Sequence, residues 1–201
     1  MQSLYETIIR LDYEAWFYIN TMWHNDVLDA ILPYFRNQWT WAPLYLFLLL
    51  FTTLNYGRKG WMWCVFFLLT FALSDQISAH LIKPYIHRLR PCNNPYLQEF
   101  VHLVVPCGSG YSFPSSHAAN HFGLAVFASV SMQRITKWVW PIALLWAASV
   151  AYSQVYVGVH FPLDVTCGGA IGMLTGYITG KLYNRIYGLD LKKAEVTTSA
   201  H

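Results

Sequence analysis

Polar and apolar positions do not alternate in this chain; beyond residue 38 the apolar ones gather in long runs separated by short polar breaks. A helix that crosses a membrane needs about 20 mostly apolar residues. Residues 39–56 (WTWAPLYLFLLLFTTLNY) supply one such run, with Trp39 and Trp41 placed as interfacial anchors. Residues 61–82 supply a second, after the basic turn Gly57-Arg58-Lys59-Gly60, and 114–132, 138–153 and 162–181 supply three more. Residues 1–38 have a different texture. Glu6, Asp12, Glu14, Asp26 and Asp29 fall among aromatic residues, which predicts amphipathic helices lying on a bilayer surface. A sixth span within 12–36 is the alternative. The expected fold is all-α: a polytopic transmembrane helix bundle of five to six spans with N-terminal amphipathic interfacial helices. It reads as one integral-membrane domain over 1–189, with interfacial helices over 1–38 and a transmembrane core over 39–183. A flexible cytoplasmic tail is expected at 190–201, and no stretch has the pattern of a cleaved signal peptide.

Composition supports this reading. Of 201 residues, 55% are hydrophobic and only 11% charged, against about 25% charged in an ordinary soluble domain. That excludes intrinsic disorder and argues against a soluble enzyme. A net charge of +3 is too small and too dispersed for a nucleic-acid binder. The basic residues then orient the chain. Arg58, Lys59, Arg134, Lys137, Lys181, Arg185, Lys192 and Lys193 all fall on one face of the five-span arrangement, eight of the thirteen Lys and Arg. By the positive-inside rule that face is cytoplasmic, so the loop 83–113 and the junction 153–161 face outward. Cys92 and Cys107 share the outward loop, where a disulfide and two unpaired thiols are both open readings. Cys64 and Cys167 lie inside spans as small apolar groups, and no His/Cys spacing suggests a metal site.

Three outward segments carry residues that an apolar protein otherwise avoids. The first is Lys83-Pro-Tyr-Ile-His-Arg-Leu-Arg90-Pro91, which alone reads equally as a loop contacting lipid headgroups. The second, Pro114-Ser115-Ser116-His117, opens a span, and a helix N-terminus aims free N–H groups at an anion. His121, one turn deeper, reads as a packing residue. In the third, Ser153-Gln154 precedes His160, and Pro162 starts a helix whose first turn holds Asp164. A carboxylate on one imidazole nitrogen fixes the tautomer and leaves the other nitrogen as nucleophile or base.

Together these segments resemble the signature of the type 2 phosphatidic acid phosphatase superfamily, K-x6-R-P, then P-S-G-H, then S-R-x5-H-x3-D. The matches are Lys83 to Arg90-Pro91, Pro114 to His117, and Ser153-Gln154 with His160 and Asp164. The resemblance implies a metal-independent, cofactor-free membrane lipid phosphatase. His160, oriented by Asp164, would form a phosphohistidine; His117 would be the general acid and base; Lys83, Arg90, Ser115, Ser116 and the residue at 154 would bind phosphate. It also implies a lipid phosphate or pyrophosphate as substrate, undecaprenyl pyrophosphate first. Phosphatidylglycerophosphate, phosphatidate and lipid A phosphate are alternatives. The implied location is a bacterial inner membrane, with the site facing the periplasm or exterior.

Two positions depart from the signature. Ser116 replaces Gly and keeps the backbone N–H. Gln154 replaces Arg and loses the charged fork that grips phosphate. This suggests a weakened or deliberately inactivated form, or an idle lipid-phosphate binder or transporter, and Gln154→Arg is expected to raise activity. Gly168, Gly172, Gly176 and Gly180 form a small-residue stripe. It serves either packing within one bundle or a homodimer seam.

Overall fold

The computed structural model describes residues 3–189, which contain eight α-helices joined by short turns and one long loop. The expected tail at 190–201 lies outside the described residues, as do Lys192 and Lys193. Helix α1 (Leu4–Phe17) opens on a capping box: the Ser3 hydroxyl accepts the Glu6 N–H, and the Glu6 carboxylate accepts the Ser3 N–H. After a π-helical turn at Tyr18–Met22, Asn25 caps α2 (Asp26–Arg36). Asp26 and Asp29 in its first turn and Arg36 in its last suit the helix dipole.

Helix α3 (Ala42–Tyr56) carries Pro in its first turn and stops at Gly57, whose φ of +55° suits a residue without a Cβ. The chain reverses there into α4 (Arg58–Asp75), which loosens into a π-helical segment, Gln76–Ile82, and a final short turn α5 (Lys83–Ile86). Pro84 lacks an N–H and crowds the carbonyl four residues back, so it helps explain why regular α-geometry fails here. The loop to residue 115 carries the Cys92–Cys107 disulfide. Helices α6 (Ser116–Met132), α7 (Val139–Tyr156) and α8 (Pro162–Ile186) complete the bundle.

Helix α6 is the central rod. Every residue from Gly123 to Met132 is buried, as expected for a helix that is apolar or small on all sides. It packs against α4, α7 and α8. The glycine stripe of α8 lies against α6: a Cβ on Gly168, Gly172 or Gly176 would stand 2.0–2.3 Å from a backbone oxygen of Ser115, Ala119 or Gly123. The stripe therefore packs within the chain, which is the first of its two readings. Buried cross-helix hydrogen bonds fix the register, among them Trp63 Nε1 to Ser131 Oγ at 2.7 Å and the Thr70–Thr179 hydroxyl pair at 2.7 Å.

The outward faces of α3, α4 and α8 expose Leu46, Phe47, Leu54, Leu68, Leu174 and Ile178. By length and composition one described stretch, Arg58–Asn93, is long and apolar enough to cross a membrane. The N-terminal segment departs from a simple surface layer. Helix α2 packs on α7 and α1 on α8, and Asp12, Trp16, Asn20 and Leu32 are buried. Asp12, which reads as water-facing in the sequence, is 6% exposed and points into the bundle end.

Candidate active site

The C-terminal end of the α4–α5 run, the N-terminus of α6, the C-terminus of α7 and the N-terminus of α8 meet at one end of the bundle. Backbone bonds knit the three segments together. The Ser115 N–H donates to the Asp164 carbonyl at 2.9 Å, and the Ser112 N–H donates to the Arg88 carbonyl at 2.7 Å. Loop, α6 and α8 thus share one frame before any side chain is considered.

His160 sits between α7 and α8, with its backbone N–H donated to the Gln154 carbonyl at 3.1 Å. Its ring is held from two sides. Arg90 Nη1 lies 3.1 Å from Nε2 and also donates to the Val159 carbonyl. Because guanidinium only donates, Nε2 is the accepting nitrogen and Nδ1 carries the proton. Nδ1 faces Asp164 Oδ2 at 3.4 Å, an electrostatic contact short of hydrogen-bond alignment. Such contacts commonly tighten when substrate binds. Burial in the bundle end pushes the His160 imidazole down to about pKa 4, with Asp164 opposing and Arg90 reinforcing that shift. Neutral His160 therefore offers an unprotonated Nε2 to whatever approaches Arg90.

Asp164 is fully buried and fixed by more than His160. Its Oδ2 accepts the Phe161 N–H at 2.9 Å, and its Oδ1 accepts Arg88 Nη1 at 2.7 Å. Arg88 Nη2 bonds to Asp12, whose other oxygen accepts the Leu163 N–H at 2.7 Å. The Arg88 guanidinium also covers the Phe161 ring, 4.0 Å from its centroid. Arg88 is thus neutralised by two carboxylates and orients Asp164. Neither Arg88 nor Asp12 stands out as a site residue in the sequence, and only the fold unites them.

Ser115 caps α6 by accepting the Ala118 N–H at 3.4 Å, and it is fully buried. It shapes the turn that opens α6 beside Ser116 and His117. Ser116 Oγ accepts from Lys83 Nζ at 3.3 Å, so the first and second segments do converge on one spot. The Ser116 and His117 amides precede the first intrahelical bond, Ala119 N–H to Ser115 carbonyl, and supply helix-start donors. His117 is half-buried beside them. His121 is the packing residue expected: its Nδ1 lies 2.8 Å from the His117 carbonyl and its ring packs on Trp146.

Gln154, fully buried, does not stand alone. Its Oε1 accepts Arg36 Nε at 3.2 Å. Sequence reasoning missed this cation, since Arg36 lies 118 residues away in a segment that reads as solvent-facing.

Below the polar end, an apolar groove of about 530 Å³ runs between α3, α4 and α6, lined by residues including Trp39, Tyr45, Phe67 and Leu124. Ser116 and His117 form part of its wall. Among the described residues no group of three or more His, Cys, Asp or Glu side chains is placed to hold a metal ion. The site can hold an anion beside a neutral imidazole, with an apolar channel adjoining.

The chain is 33% identical to a lipid A 4'-phosphatase of Bacteroides thetaiotaomicron, over 77% of this chain and 69% of that one. An undecaprenyl-diphosphatase of Sulfolobus acidocaldarius is 29% identical, covering 76% and 68%. The crystal structure of a PAP2-type phosphatidylglycerolphosphate phosphatase from Bacillus subtilis superposes with a TM-score of 0.67 at 22% identity, covering 90% of this chain and 88% of that one, and shares the fold. The family model for the PAP2 superfamily matches residues 63–187, a range that holds all three segments, and the chain belongs to that superfamily of phosphatases.

Proposed function

We propose that this protein is a metal-independent lipid phosphatase working through a phosphohistidine on His160. The observation that carries the reading is the clamped imidazole, with Nε2 facing Arg90 and Nδ1 facing Asp164. Nε2 attacks phosphorus in line; an N–P bond forms as the P–O bond to the leaving group breaks. His117 gives its proton to that departing oxygen. It then takes a proton from a water whose oxygen attacks phosphorus, which breaks the N–P bond and frees inorganic phosphate. As positive charge spreads onto the His160 ring, the Nδ1–H bond to Asp164 strengthens. Phosphoryl transfer depends mainly on positioning and charge neutralisation. Lys83, Arg90, Ser116 and the N–H groups opening α6 supply both.

The apolar groove beside Ser116 and His117 suits the lipid tail, and the exposed apolar faces of α3, α4 and α8 suit a bilayer. In this reading α3, α4, α6, α7 and α8 are the five spans of a bacterial inner-membrane protein. Arg58, Lys59, Arg134 and Lys137 lie at the cytoplasmic end, and the site faces the periplasm or exterior. A lipid A phosphate is the first substrate to test, from the 33% relative, with undecaprenyl pyrophosphate second.

The test is phosphate release from lipid A, undecaprenyl pyrophosphate, phosphatidate and phosphatidylglycerophosphate in detergent micelles containing excess chelator. Release from at least one, abolished in His160→Asn, is expected. No release from any, or release only after a divalent cation is restored, overturns the reading.

A further inference from the structure

Among the site's cations Arg36 is the anomaly. It closes α2, outside the 63–187 range matched by the family model, yet it reaches the position where the third segment departs from its signature. Gln154 Oε1 accepts from Arg36 Nε, which leaves both terminal guanidinium nitrogens of Arg36 uncommitted among the described residues. No carboxylate pairs with Arg36 there, whereas Arg88 is held by two. The surroundings are also short of partners. Gln154 Nε2 and Arg90 Nε are buried without a hydrogen-bond acceptor. The same Gln154 accepts the His160 N–H on its backbone carbonyl, so Arg36 is tied to the frame that holds that imidazole. Two guanidinium groups and a buried amide in one neighbourhood, with no carboxylate among the described residues bonded to either guanidinium, are costly unless a ligand supplies the charge.

We infer that Arg36 is the phosphate-binding arginine of this enzyme, delivered from α2 in place of the one that α7 lacks. Gln154 is its positioning residue. A glutamine suits that role because it accepts from Nε and orients the fork, but carries no charge that would cancel the guanidinium, as a glutamate would. The two Nη groups are then free to take two phosphate oxygens, the geometry for which arginine is suited. On this account the site is complete rather than weakened, and the N-terminal helices are part of the catalytic unit. The inference rests on the phosphatase reading above.

Two readouts separate it from that reading. The first is turnover of whichever lipid the wild type hydrolyses. Arg36→Met should lower kcat/KM roughly 10²- to 10³-fold, the range seen when one transition-state donor is removed. Arg36→Lys keeps charge without the fork and should fall between. Returning the cation to α7 in Arg36→Met/Gln154→Arg should recover at least tenfold over Arg36→Met. Gln154→Arg alone, which sets a second cation beside Arg36, should not exceed wild type. The second readout is binding of orthovanadate to the full chain in detergent, followed by tryptophan fluorescence. Arg36→Met should weaken it tenfold or more while Arg36→Lys weakens it less, with thermal midpoints compared to confirm folding. If the wild type hydrolyses no lipid, the phosphatase reading fails and the vanadate arm alone decides Arg36. Vanadate affinity or turnover of Arg36→Met within threefold of wild type overturns the inference, as does a double variant no better than Arg36→Met. A wild type that binds no vanadate also overturns it.

Discussion

The ion triad Asp12–Arg88–Asp164 should be the costliest single point at which to cut this site. The side chains are nearly closed to water, at 14% exposure for Arg88, 4% for Asp12 and 0% for Asp164. Arg88→Met keeps most of the stem against Phe161 and removes the charge. It leaves two buried carboxylates without their common cation, although Asp12 retains the Leu163 N–H and Asp164 the Phe161 N–H. Breaking a buried pair by removing one partner destabilises by about 3–5 kcal/mol. Loss of the guanidinium over Phe161 adds about 0.5–2 kcal/mol. That is a large share of a typical domain stability of about 5–15 kcal/mol. Removing one orphan as well, in Asp12→Asn/Arg88→Met, should return part of the loss, with a coupling of about 1–3 kcal/mol between the two positions. The assay is unfolding in one fixed detergent, followed by tryptophan fluorescence, for wild type, both single variants and the double. The reasoning is refuted if Arg88→Met lies within about 1 kcal/mol of wild type, the scale of an exposed pair, or if the two substitutions simply add.

Two further outcomes follow from packing and titration. Gly172→Ala places a Cβ 2.0 Å from the Ala119 carbonyl oxygen, so α6 and α8 must separate. Overpacking of this kind destabilises by about 1–3 kcal/mol, which a lowered thermal midpoint will report, and an unchanged midpoint means the helices are less closely apposed. His160, held down to about pKa 4 by burial in the fold and near 6.5 when unfolded, stays neutral in the folded protein while the unfolded chain takes up a proton. Its contribution to stability is therefore full above about pH 6.5 and is lost as pH falls toward 4. A nitrogen-15 histidine spectrum should show the His160 ring unchanged from pH 8 to about 5, and a transition near 6.5 contradicts this.

Much of the helical layout could be read from the chain because apolar runs and turn residues are local signals. The expected 114–132 and 138–153 fall on α6 and α7, and Pro162 does start α8. The three segments carrying Lys83, Arg90, His117, His160 and Asp164 could also be read, since their residue types are out of place in an apolar chain. What escaped were partners brought together by the fold. Arg88 sits between two other basic residues and reads as more of the same, while its carboxylates lie 76 residues away on either side. Asp12 and Arg36 belong to a stretch whose mixed charge mimics a solvated face, and only packing against α7 and α8 turns them inward. A serine before a helix signals a cap and an anion site in the same letters, and the cap is what the fold shows at Ser115. The glycine stripe announced a close approach without saying to what, and α6 answers it.

The central claim is that His160 becomes covalently phosphorylated. The direct measurement is to mix the full-length protein with a phosphorus-32-labelled lipid substrate, quench within milliseconds in alkaline denaturant, and map the label by digestion and mass spectrometry. The account predicts an acid-labile, alkali-stable phosphate on the peptide carrying His160, chased by water and lost in His160→Asn. Label on another residue, or turnover with no protein-bound phosphate at any quench time, would contradict it.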